Sequence, residues 1–139
     1  MALLSRTDQL EVDRAKDGIE DLQEQADNLQ GFANGFVLWI RDLDRFAERI
    51  ADTEVRLAAL IETYFGSGTP ETKALVARMR IGELPSPATE DQLHRKFDRN
   101  IARARDALQD GIKLLEEKIT ALRQGRNPVT QPADTLPTK

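Results

Sequence analysis

Marking every seventh residue from Val12 gives Val12, Ile19, Ala26, Ala33, Ile40, Ala47, Glu54 and Ile61, of which only Glu54 is polar. A second column, three positions on, reads Ala15, Leu22, Leu29, Phe36, Leu43, Ile50, Leu57 and Tyr64 and contains no charged residue. Paired apolar columns held in one phase predict a helix–helix seam, because a helix lying on a globular core follows a 3.6-residue period and drifts by about 20° per heptad. No proline interrupts residues 7–65. The pattern predicts one very long helix over about 7–65.

In the middle of that span the apolar face broadens. FANGFVLWIRDL, residues 32–43, places Phe32, Phe36 and Trp39 within eight positions and runs apolar from Phe36 to Ile40. Phe32, Trp39 and Phe46 form a third column seven apart, whereas before residue 30 the flanking columns are mostly polar. A wider stripe belongs to a bundle of three or more helices, so Phe32, Phe36, Trp39, Ile40 and Phe46 are expected at a bundle junction. Asn34-Gly35 is a turn signal. Both columns cross it in step, from Leu29 to Phe36 and from Ala26 to Ala33 to Ile40, so continuity is the expectation.

GSGTPE then ends one helix and begins another, with Gly66 or Gly68 as the stop, Thr69 as N-cap and Pro70 in the first turn. A short helix is predicted over 70–81. A third follows Ser86 or Thr89 as cap and runs over about 90–124, with Leu93, Phe97, Ile101, Ala104, Leu108, Ile112, Leu115, Ile119 and Leu122 on one stripe. Its steps approach an eleven-residue period, which suits bundle packing better than a left-handed supercoil. The predicted class is all-α, an elongated helical bundle or coiled coil over 7–124, preceded by an arm at 1–6 and followed by a flexible, proline-containing tail at 125–139.

Length suggests a role for the seam. A helix over 7–65 spans roughly 88 Å and one over 90–124 roughly 52 Å. The returning helix then covers the first only to about residue 30. Val12, Ala15, Ile19, Leu22, Ala26 and Leu29 are expected to project as a partner-binding seam, filled by another copy or by a helical protein of a larger assembly.

Composition narrows the classes. The chain has no cysteine, which removes disulfides and Cys-based zinc sites and suits a cytoplasmic or other reducing compartment. No stretch approaches the roughly 20 apolar residues of a membrane span, and MALLSRTDQLEVD lacks a signal-peptide core. Residues 1–65 carry 14 acidic and 7 basic side chains, and residues 66–139 carry 10 and 13. The basic residues are densest at Arg95, Lys96, Arg99, Arg103 and Arg105, with Phe97 the only aromatic among them. Without stacking partners that cluster argues for electrostatic contacts to acidic protein surfaces ahead of nucleic acid.

Little here resembles a catalytic site. His94 is the single histidine and stands four residues from Glu90 and from Asp98, which reads as a surface group ahead of a metal ligand. Neither a nucleophile with its base nor a phosphate loop after a strand can be assembled, and no cofactor is implied. Glu54, alone in its column, is a candidate register residue. In layout the chain is similar to coiled-coil segments of assembly proteins such as nucleoporins, secretion-system components and phage structural proteins, with no motif that selects one. The expected function is a non-enzymatic assembly or scaffold subunit that self-associates or docks into a larger complex. The alternative is an adaptor, chaperone or regulator that captures a partner helix.

Overall fold

Each helix begins at a side chain able to satisfy its free amides. The computed structural model describes residues 4–36 and 41–124. Helix α1, Arg6–Asn34, starts at Ser5, whose hydroxyl accepts the Asp8 N–H at 3.0 Å. Helix α2, Leu43–Phe65, starts at Asp42, which accepts from Arg45 N–H, and ends at Gly66 with φ of 91°. Helix α3, Pro70–Ala77, is capped by Thr69 with Pro70 in its first turn. Helix α4, Glu90–Arg123, is opened by Thr89, not Ser86, in a reciprocal capping box with Gln92. The fold is an all-α, elongated bundle in which long first and last helices pack together.

The expected 7–65 helix is two helices. Gly35 caps α1, its amide turning back to the carbonyls of Gly31 and Phe32. The chain reverses before Asp42, so that Phe46 meets both Phe32 and Phe36, and Tyr64 reaches back to Asp21. The shared heptad phase is not a shared face. Leu43 and Ala47, assigned to the seam, are exposed, while Phe46 is buried.

Helix α4 runs antiparallel to α1 and parallel to α2. Lys118 pairs with Glu11 at 2.7 Å, Gln109 with Gln23, and Arg105 donates to the Ala26 carbonyl, so numbers rise on α4 as they fall on α1. The Lys118 ammonium, through its hydrogen bond and charge, holds the Glu11 carboxyl below its ordinary pKa. With 29 residues in α1 and 34 in α4, the helices are about 43 and 51 Å long, and α4 covers the whole of α1. This overturns the uncovered seam: Val12, Ala15, Leu22, Ala26 and Leu29 are buried within the one chain, and Ile19 is partly buried against the same core. The surplus length that implied a projecting arm vanishes because α2 packs back along α1.

Two glycines let the helices approach. A Cβ on Gly18 would stand 2.7 Å from Leu115 Cδ1 and 2.9 Å from the Tyr64 ring, and one on Gly111 would stand 3.1 Å from Leu22 Cδ1. Next to Gly18, the Tyr64 hydroxyl donates to Asp21 at 2.6 Å, Arg14 lies over the Tyr64 ring, and its guanidinium donates to the Thr63 carbonyl. The hydrogen bond to the Asp21 carboxylate, then burial, then the charges of Asp21 and Asp17, push the Tyr64 phenol up to about 12, against the opposing pull of Arg14.

A paired substitution separates helix propensity from packing. Gly31 lies in α1 with open space at its Cβ position, so Gly31→Ala should stabilise by about 0.5–1 kcal/mol. Gly18→Ala gains the same propensity but must displace the Tyr64 ring, at an overpacking cost of about 1–3 kcal/mol, and should destabilise. Urea midpoints of the two variants, moving in opposite directions, check this.

Tyr64 is the only tyrosine, so phenolate absorbance titrates it alone. The folded chain should show a midpoint near 12 and the denatured chain one near 10.0. Because the folded value is the higher, the contribution of Tyr64 to stability is complete below the unfolded value and is lost as pH rises through the folded one.

Candidate functional site

The bundle junction comes together in space, though not as a widened seam. Phe97 of α4 lies 5.2–5.6 Å, centroid to centroid, from Phe46, Phe36 and Phe32, mostly edge to face. Such pairs contribute about 0.5–1.5 kcal/mol each beyond area burial. His94 stacks on Phe36 at 4.8 Å, and its Nε2 stands 3.6 Å from Asp98. Among the described residues no group of histidine and carboxylates is arranged to hold a metal. Trp39 and Ile40 lie outside the described residues.

Glu54 does not meet the basic residues of α4. Between α3 and α4 the chain returns as a strap, residues 78–89, along the groove between α2 and α4. Glu54 accepts the Gly82 N–H at 2.8 Å, from the α2 side. From the α4 side the buried Asn100 amide donates to the carbonyls of Ile81 and Glu83, at 3.1 and 2.9 Å. Met79 and Ile81 fill the core beneath. A Cβ on Gly82 would come within 2.8 Å of Ile50. Glu54 therefore fixes where the strap sits on α2. Asn100 was not singled out from the sequence, although a polar residue beside Ile101 on the buried stripe was the available signal.

The four arginines expected to make electrostatic contacts divide. Arg103 donates to the Arg80 carbonyl and stands 3.6 Å from Glu83, tying the strap to α4. Arg105 donates to the Ala26 carbonyl and to Gln30 on α1. Arg95 pairs with Asp91 one turn back on its own helix. Arg99 is exposed and has no ion pair among the described residues, as is true of the partly exposed Lys96. Arg95, Lys96 and Arg99 border an open groove of about 980 Å³ whose other wall is Leu84, Pro85, Pro87 and Glu83, the last paired with Arg103.

Two further surfaces remain open. Between α1 and α4 a shallow groove of about 770 Å³ runs past Ile19 and Ile112 and is rimmed by Glu20, Glu24, Asp27 and Glu116. On α2, Leu43, Ala47, Ala51, Val55 and Ala59 form an i, i+4 row, and all five are exposed, Leu43 by 53% and Val55 by 70%. This row was legible as five apolar residues four apart, but the heptad columns divided it. No helix of the described residues is long and apolar enough to cross a membrane. No protein-family model, curated protein or solved structure matches the chain.

Two of the strap's anchors, Asn100 and Glu54, give a measurable contrast. Asn100→Ala strips two carbonyls of their donor and should cost about 1–3 kcal/mol in urea unfolding. Glu54→Gln keeps an acceptor for Gly82 whereas Glu54→Ala does not. Hydrogen exchange at the Gly82 amide should accelerate in the alanine variant and hardly change in the glutamine one.

Proposed function

We propose that this chain is a non-enzymatic subunit of a larger helical assembly, docking through the outside of a closed bundle and not through an open seam. The observation that carries this reading is the apolar row on α2. From Leu43 to Ala59 it extends about 24 Å without a charge, and its alanines let a second helix approach at the usual 8–10 Å. Laying a helix along it would bury Val55, whose side chain contributes about 1.5–3 kcal/mol on full burial. The absence of cysteine suits a reducing compartment.

The same row serves a second reading, an adaptor, chaperone or regulator that captures a partner helix transiently. Oligomeric state separates the two. Under the favoured reading, light scattering should show a stable assembly. At about 1 M salt, which screens exposed ion pairs, Val55→Asp should weaken association about tenfold or more, equivalent to roughly 1.4 kcal/mol. Its unfolding midpoint should stay put, since exposed substitutions fall within about 0.5 kcal/mol. A wild-type monomer that forms a complex only with a helical partner, abolished by Val55→Asp, selects the adaptor. If Val55→Asp alters neither mass nor partner binding, the row has no docking role and the reading fails.

A further inference from the structure

Two of the molecule's open grooves are lined by side chains of opposite charge that lack ion pairs among the described residues. Lys96 and Arg99 stand on the first turns of α4, whereas Glu116 lies near its other end and Glu20, Glu24 and Asp27 lie on α1. Along α4, Arg99 lies about 26 Å from Glu116 and about 9 Å from the level of Asp27, whose neighbour Ala26 accepts from Arg105. None of these four carboxylates has an ion pair among the described residues. The other charged groups facing the acidic groove are Asp110, occupied by Arg78 at 2.7 Å, and Lys113.

We infer that the basic groove between the strap and the start of α4 receives the acidic α1 face of a second copy, so that copies join head to tail. This rests on the assembly reading and names the partner. Complementary charge is one support. The walls are another: Leu84, Pro85 and Pro87 give the basic groove an apolar side, and Ile19 and Ile112 give the acidic one an apolar floor. Lysine and arginine stems pack along such a floor while their charged heads reach the surrounding carboxylates. Single exposed ion pairs contribute only about 0–1 kcal/mol, so the contact depends on several acting together and is sensitive to salt. The two surfaces differ, so the contact is heterologous and repeats into a ring or an open filament. Nucleic acid fits the groove less well. Phe97, the aromatic nearest in sequence to its cations, is wholly buried, and no aromatic side chain lines the groove for a base to stack on.

The test is a charge swap. Lys96→Glu with Arg99→Glu makes the basic groove acidic, and Glu20→Lys with Glu24→Lys makes the acidic face basic. All four positions are exposed or partly exposed, and circular dichroism checks that both proteins remain helical. With Val55→Asp removing the α2 contact, the otherwise unchanged chain should associate at about 0.01 M salt and dissociate toward 1 M, as the Debye length falls from about 30 to about 3 Å. In the same background each variant alone should associate at least tenfold more weakly, and an equimolar mixture should recover association, because each supplies the surface the other lacks. A mixture that stays as dissociated as its components overturns the inference. So does a Val55→Asp chain that is monomeric at low salt, or one whose basic groove instead binds RNA or DNA tightly with a steep salt dependence. The α2 row is judged separately: Val55→Asp leaves this salt-dependent association intact, so either surface can fail without the other.

Discussion

Phe32, Phe46 and Phe97 from three helices, with Phe36 just past the cap of α1, force the chain to turn between α1 and α2. Phe46 contacts both Phe32 and Phe36 at ring separations of 5.8 and 5.5 Å. In a continuous helix the same residues would be displaced by about 21 and 15 Å along the axis. The contacts and the straight helix are mutually exclusive. With Phe46 folded back, Phe97 completes the cluster from α4, and the directions of all three long helices follow.

At the other end of the bundle the same three helices are held by proximity. Gly18 and Gly111 omit the side chains that would keep α1 from the Tyr64 ring and α4 from Leu22. The strap then settles into the remaining groove, held by the Glu54 carboxylate of α2 and by Asn100, Arg103 and Asp110 of α4. Aromatic surface at one end and missing side chains at the other let helices of unequal length stay in contact, with Lys118 still reaching Glu11.

The helical class and the caps at Thr69 and Thr89 could be read directly, because they depend on local spacing and a few side-chain oxygens. The reversal after Asn34 could not be read from periodicity. Leucine and alanine are frequent enough that two unrelated helix faces fall into one heptad frame when the connection is close to seven residues. The better signal was chemical: Gly35 as a stop and Asp42 as a start, both present in the sequence. The seam from Val12 to Leu29 was correctly seen as apolar and wrongly assigned to another chain, since its cover depended on that turn. Glu54 stood out as an exception, but its partner is a backbone amide, which no pattern of side chains announces.

The order of synthesis gives the covering of α1 by α4 a further meaning. Chains emerge N-terminus first, and domains tend to fold as units during elongation. Once residue 65 has left the ribosome, α1 and α2 can pair as a hairpin, while α4 is still within the ribosome. Val12, Leu22 and Leu29 lose their cover from α4 for as long as the next several dozen residues take to be made. At about 5–20 residues per second that interval is a matter of seconds. The nascent chain therefore passes through a state whose exposed apolar stripe invites chaperone binding, or pairing with a neighbouring chain on the same message, before its own last helix closes over it.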